Sequence, residues 1–139
     1  MMSRKVYFDV NIVVDILDTK RVNNKNVNLL LKRLLYENIN IVISEDMLST
    51  IFYIDKDNDK VLSFFKTIQK FWTISPFGKD VIKDAIGIAQ EKKLDLEDVL
   101  QSLCAKANGC EAIITNDNKF YDCGVNIFTA EEFLNEMKI

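Results

Sequence analysis

Lys5-Val6-Tyr7-Phe8-Asp9-Val10-Asn11-Ile12-Val13-Val14-Asp15 is the stretch on which the reading of this 139-residue chain turns. Residues 4–9 carry a short apolar run with the composition of a buried strand, and 11–18 follow with helical spacing. Asp9 and Asn11 therefore stand at the C-terminal tip of a first strand, which is where open α/β sheets hold their ligands. A carboxylate directly after Val6-Tyr7-Phe8 is costly to desolvate unless something pairs with it. The plainer reading is an Asx turn at Asp9 and a helix cap at Asn11, and a capping amide is compatible with orienting bound water.

Outward from this stretch, helical and strand periods alternate to the end of the chain. Asn28–Glu37 is spaced as a helix, and Ile39-Asn40-Ile41-Val42-Ile43 as a second strand. Ser44 before Glu45 and Asp46 reads as the N-cap of a helix over 45–54, with acids in its first turn. A further helix is expected over 59–70, projecting with 45–54 as a hairpin, then a short strand at Trp72-Thr73-Ile74-Ser75. Helices over Lys79–Lys92 and Leu96–Asn108 follow, with Gly109 at a helix-ending position. Ala112–Thr115 and Val125–Phe128 are two more strands separated by a short helix, and Thr129-Ala130-Glu131-Glu132 caps a last helix. The order predicts an α/β fold in three layers, with a central parallel sheet of about five strands covered on both faces.

Composition narrows the chemistry. Hydrophobic residues at 48% and charged residues at 28% suit one globular domain over residues 1–139. The chain has no His, which removes Ser-His-Asp and Cys-His catalysis and leaves acid–base work to carboxylates, Lys, Tyr or activated water. Cys104, Cys110 and Cys123 lack paired spacing and read as buried reduced thiols. A net charge of −3 argues against a simple basic nucleic-acid glove, although carboxylates that share a metal ion would be partly neutralised. No apolar run reaches the roughly 20 residues that cross a bilayer. Met1-Met2-Ser3-Arg4 runs straight into the first strand, so we expect no signal peptide and a cytoplasmic location.

Asp9 has company at other strand and helix ends. Glu45-Asp46, Asp95-Glu97-Asp98 and Asp117 all fall at such ends, and carboxylates gathered at one sheet edge suit a shared hard divalent cation. Asp95 as N-cap and Asp98 three residues on also form a capping-box pattern. Asp95, Asp98 and Ser102 share a helical face, so Asp98 is placed toward the site and Glu97 away from it, near Gln101. Asp117 follows the fourth strand by two residues, where either a polar turn or a ligand position is possible. Asp15, one turn beyond Asn11, is either a supporting residue or a solvated one.

Taken together, Tyr7–Asp15, Asp95-Leu96-Glu97-Asp98-Val99-Leu100-Gln101 and Ile113-Ile114-Thr115-Asn116-Asp117 resemble the motifs of PIN-domain proteins, most nearly the VapC-type toxins of bacterial toxin–antitoxin pairs. The resemblance spans nearly the whole chain. It implies a three-layer α/β/α fold and a metal-dependent endoribonuclease that hydrolyses RNA with a metal-activated water, using Mg²⁺ or Mn²⁺. By the same resemblance Asp9, Asp98 and Asp117 match three acidic positions, Asn11 the polar residue of the first motif, and Asp95 an additional acid. The second acidic position falls at Thr50, so Asp46, or Glu45, would have to supply that charge. Asn116 takes a place often held by Arg. The partners implied are RNA, a cognate antitoxin lying in an apolar groove, and a second copy of the chain.

Lys119, Lys20, Arg21 and Lys25 are candidate guides for an RNA backbone, or ordinary solvated residues. Phe52, Tyr53, Phe64, Phe65, Phe71 and Trp72 are spaced for a core or a partner groove rather than for base stacking. Two rival enzymes fit less well. A haloacid-dehalogenase phosphatase needs a second acid where Asn11 stands. A receiver domain needs an acid after Trp72–Ser75, where Pro76-Phe77-Gly78 follows. The alternative that Thr50 motivates is a catalytically weakened binding module of the same fold.

Overall fold

The computed structural model describes residues 3–117 and 120–137, and Lys119 is outside them. The first half runs β1 (Lys5–Phe8), α1 (Val10–Leu17), α2 (Asn24–Tyr36), β2 (Asn40–Ser44), α3 (Asp46–Ile54) and α4 (Asn58–Phe71). It continues through β3 (Thr73–Ser75), α5 (Lys79–Lys92), α6 (Leu96–Ala107), β4 (Ala112–Ile114), β5 (Asn126–Phe128) and α7 (Ala130–Met137). The five strands form one parallel sheet in the order β3-β2-β1-β4-β5. Helices cover both faces, which gives the expected three layers. The described residues between β4 and β5 include no helix, where a short one was expected.

Sheet order follows from connection chirality. The chain steps outward from β1 to β2 to β3, then returns through α5 and α6 to place β4 on the other side of β1. Reversing direction moves the crossover to the opposite face of the sheet. Phe8 accordingly meets Trp72 edge to face at 5.7 Å, and Trp72 meets Phe64 of α4 in the same way. Tyr7, its neighbour on the other face, reaches Gln101 of α6. Val6, Tyr7, Phe8, Ile41, Val42, Ile43, Ala112, Ile113 and Ile114 are fully or almost fully enclosed, as continuous apolar strands in a doubly covered sheet must be.

Two helix ends aim the chain into central strands. Asn38 and Gly109 take left-handed backbone angles (φ +58° and +72°) just past α2 and α6. Ile39 N–H then bonds to Leu34 C=O at 2.9 Å, and Cys110 N–H to Ala105 C=O at 3.1 Å. These six-to-one closures are Schellman turns, and each leads within two residues to a strand. At α7 the expected cap is present in full: Glu132 N–H bonds to Thr129 Oγ1 at 3.1 Å, and Thr129 N–H to Glu132 Oε1 at 2.8 Å.

Several local readings change in three dimensions. Asp15 is not a solvated helix residue: it is buried and accepts from Arg21 Nε at 2.5 Å. Asn24 Nδ2 adds a bond to Asp15 C=O at 2.7 Å, so this pair fixes the α1–α2 turn. Helices α3 and α4 do not simply project, because Met47, Ile51, Val61 and Ile68 root them in the core. Phe64, Phe65 and Trp72 pack against that core, whereas Tyr53 and Phe71 stay exposed. The three cysteines are free thiols, and Cys104 and Cys110 are buried. No helix among the described residues is long and apolar enough to cross a membrane.

Burial sets the expected cost of substitution. Ile113→Ala, in a central strand and 0% exposed, is expected to lose about 2–5 kcal/mol in urea unfolding. Leu35→Ala, 58% exposed on α2, is expected to change stability by less than about 0.5 kcal/mol. Equal losses at the two positions would contradict the packing described.

Candidate metal centre

The register of the two central strands assembles the site. Phe8 pairs with Ile114, so the next residues, Asp9 and Thr115, leave the sheet side by side at its C-terminal edge. Asp9 N–H still bonds to Ile114 C=O at 3.0 Å, which fixes its backbone before α1 begins. The position lies between β1 and β4, where the strand order reverses, the crevice at which open α/β sheets bind ligands.

Thr115 is the link that the sequence reading passed over. It is buried, and its hydroxyl donates to Asp9 Oδ2 at 2.9 Å while accepting from Asp117 N–H at 2.9 Å. One side chain therefore holds the Asp9 carboxylate and shapes the turn that presents Asp117. The available signal was a hydroxyl two residues before an acid at the end of a buried strand.

The charges of Asp98 and Asp117 both bear on Asp9. Burial pushes the Asp9 carboxyl up to about 6, with the Thr115 hydroxyl and Val10 N–H pulling it down and the charges of Asp117 and Asp98 adding to the rise. Asp98 comes from the first turn of α6, and it reaches this field across the sheet edge. No ion pair among the described residues neutralises Asp9. Asp95 takes the capping role, with its Oδ1 accepting Asp98 N–H at 3.2 Å. Asn11 is the second residue of α1 rather than its cap, and it is exposed beside Asp9.

The second acidic position is rearranged. Thr50 turns its hydroxyl back to Asp46 C=O in its own helix, at 3.4 Å, so it adds no ligand. Asp46 is half-buried, and Ser44 Oγ donates to its Oδ1. Ser44 does not cap α3: the cap position is Glu45, which makes no side-chain capping bond. Glu97, expected to point away from the site, is exposed in the first turn of α6, and partial burial, then the charges of Asp46, Asp95 and Asp98, raise its carboxyl. Asn116 faces away from the acids, accepting Ala130 N–H at 3.4 Å, and its buried Nδ2 has no partner among the described residues.

These residues suit a hard divalent cation. All the donors are carboxylate or hydroxyl oxygens, and a buried Asp9 facing two further carboxylates is a charge arrangement that a cation relieves. Among the described residues no three acids converge tightly enough to hold an ion between them. A cleft lined by Thr115, Asp117, Phe120, Phe128 and Glu132 adjoins the edge. The larger cleft between α2 and α7, lined by Leu29, Arg33, Tyr36 and Leu134, shares no residue with it.

Comparison with known proteins agrees with this geometry. Residues 6–126 match the PIN domain family. The chain is 38% identical over 137 residues to "Ribonuclease VapC1" of Aquifex aeolicus (strain VF5), covering 96% of this chain and 95% of that protein. A toxin–antitoxin complex from Klebsiella pneumoniae superposes with a TM-score of 0.70 at 19% identity, covering 90% of this chain and 97% of that one. The structure of VapBC2 from Rickettsia felis bound to a DNA fragment from their promoter gives 0.67 at 20% identity, covering 89% and 96%. At such identities the two structures show the fold alone.

The Asp9 environment makes a signed prediction for the metal-free protein. Its folded-state value lies above the ordinary 3.8, so ionising it opposes folding. The penalty is absent below about 4, grows as pH rises, and is complete above about 6. Asp9→Asn in chelator at pH 7.5 is therefore expected to be more stable than wild type by about 1–3 kcal/mol. That advantage should vanish by about pH 4 in urea unfolding. A variant equally destabilised at both pH values would show Asp9 to be an ordinary turn residue.

Proposed function

The chain belongs to the PIN-domain family, and from that premise we propose that it is a divalent-metal-dependent endoribonuclease, the toxin of a toxin–antitoxin pair, acting as one domain over residues 1–139. The observation that carries this reading is Asp9. It is 7% exposed, held by Thr115, and crowded by the charges of Asp98 and Asp117 at the switch between β1 and β4. A structural acid in such a place would have a basic partner, as Asp15 has Arg21.

Asp9, Asp98 and Asp117 would hold Mg²⁺ or Mn²⁺, with Asp46 the next ligand and Asp95 at the outer edge, where its cap keeps it. When bound, such an ion activates water as a nucleophile and offsets the charge that develops on the phosphate. Thr115 keeps the Asp9 carboxylate in one orientation, and Asp98 approaches from α6 on the far side of the edge. Asn11, exposed beside Asp9, positions water or a phosphate oxygen. RNA binding is aided by exposed lysines such as Lys20 and Lys25 and weakens as salt rises. Arg21 is withdrawn from that role by Asp15.

The partners that follow from family membership are RNA, a cognate antitoxin protein and a second copy of the chain, all in the cytoplasm. Exposed Tyr53, Ile54 and Phe71 on the α3–α4 pair offer apolar contact area for a protein partner. A second reading, a PIN-fold binding module without catalysis, is favoured by one observation: Thr50 is bonded back to its own helix.

Cleavage of an RNA pool separates the two. Wild type is expected to cut in Mn²⁺ and stop in chelator, and Asp98→Asn is expected to lower the rate by at least about 100-fold with the fold unchanged by circular dichroism. No cleavage of any RNA, with no Mn²⁺ uptake by calorimetry, would favour the binding module. Cleavage that persists in Asp98→Asn would mean a contaminating nuclease.

A further inference from the structure

The cleft beside Asp117 has no role in the metal chemistry described above. It lies at the C-terminal edge of the sheet, where β4 and β5 end together and Thr115 N–H bonds to Phe128 C=O at 2.9 Å. Its volume is about 140 Å³, room for one flat ring system and too little for a helix. Phe120 and Phe128 supply two rings, and Thr129 and Glu132, at the head of α7, supply polar atoms. The walls are held from several sides. Phe128 meets Phe133 edge to face at 5.4 Å. Ser102 Oγ donates to Tyr121 C=O at 2.8 Å, and Cys123 Sγ donates to Ser102 C=O at 3.4 Å, which ties the segment after Phe120 to α6.

The hydrogen-bonding groups of the cleft select among ligands. The α7 capping box uses Glu132 Oε1 as the acceptor for Thr129 N–H, and among the described residues Oε2 has no partner. Thr129 Oγ1 accepts Glu132 N–H, which leaves the hydroxyl proton to be donated. A fixed acceptor and a donor thus stand beside two aromatic rings. None of the described lining residues is basic, and Asp117 and Glu132 bring two carboxylates, so a phosphate is disfavoured there. A guanidinium would satisfy the carboxylates but has no acceptor for the Thr129 hydroxyl. A nucleobase presents N–H donors, an acceptor and a π-face together. Guanine matches best, because its Watson–Crick edge sets two N–H donors beside a carbonyl oxygen.

We propose that this cleft binds one nucleobase of the RNA, guanine in preference, with Glu132 reading the base and Phe120 and Phe128 stacking on it. The proposal rests on the ribonuclease reading above and adds to it a specificity site. Thr115 and Asp117 belong both to the cleft and to the acidic edge beside Asp9, so a base seated here is continuous with a backbone held at that edge. The Glu132 carboxylate accepts from the two N–H groups of guanine, and the Thr129 hydroxyl donates to its carbonyl oxygen. Charge assistance makes the carboxylate contact the stronger of the two.

The test is the affinity of the full chain for single-stranded RNA hexamers, measured by fluorescence anisotropy in chelator, where no cleavage intervenes. The hexamers are oligouridylate and versions of it with a single internal G, A or C. Wild type is expected to bind the G hexamer about 10-fold tighter than oligouridylate. Glu132→Gln keeps the cap, because Gln serves equally at that position of a capping box, and should erase the preference. Phe120→Ala should weaken binding of every hexamer by about 10-fold, since stacking tolerates any base. No preference for G in wild type, a preference that persists in Glu132→Gln, or unchanged affinity in Phe120→Ala would overturn the proposal. So would amide NMR signals of Thr129 and Glu132 that shift with ethylguanidinium but not with guanosine, which would assign the cleft to an arginine of a protein partner. Wild type that shows the preference yet cleaves no RNA in Mn²⁺ would refute the nuclease reading and leave the base site standing. Glu132→Gln decides the matter if Phe120→Ala fails to fold.

Discussion

The pairing of β1 with β4 is the constraint from which the rest of this structure takes its shape. Phe8 opposite Ile114 sets the register, and the next pair, Asp9 and Thr115, must then emerge together at the sheet edge. A slip by one residue would turn every side chain of β1 to the other face and place Tyr7 where Phe8 now meets Trp72. Because the apolar residues on both faces forbid that slip, the same packing that stabilises the core also positions the carboxylate. The site has no independent means of assembly, and it needs none.

What the core stabilises, the site partly opposes. Asp9 is enclosed, and burial above all, then the charges of Asp117 and Asp98, disfavour its charged form, while the Thr115 hydroxyl and Val10 N–H favour it. That penalty is borne by the dense sheet beneath it. Sites that must bind charge commonly depart in this way from the local consistency shown elsewhere in a fold. The contrast with Asp15 is instructive. That acid is equally buried, but Arg21 closes on it directly, and it serves only to fix a turn.

The architecture was legible in the sequence because its signals are local. Apolar runs bounded by Gly109, Asn38 and capping residues mark the strands and helix ends, and the α7 capping box formed as its residues specify. Acids at element ends were legible for the same reason. What escaped depends on distant partners. Ser44-Glu45-Asp46 has the pattern of a cap, yet the Ser44 hydroxyl serves a side chain instead. Thr115 looked like part of a polar turn because its bond to Asp9 spans 106 positions in the chain. Asp15 and Arg21 are six residues apart, a spacing that no helical rule pairs.

The substitution at Thr50 is best understood through the helix that carries it. Asp46 and Thr50 are separated by four residues, one turn, and lie on the same face of α3. A carboxylate four residues earlier stands in the first turn of α3, two residues beyond the end of β2. A short side chain also has fewer rotatable bonds, but in a first turn it has less of its own helix to lean on, and outside support matters more. The structure supplies that support from Ser44, whose hydroxyl donates to the Asp46 carboxylate. Thr50, with its hydroxyl bonded inward to Asp46 C=O, closes the same turn from the other side. Charge in this part of α3 therefore stands at Asp46, where a strand-end hydroxyl meets it, and the Thr50 side chain serves its own helix.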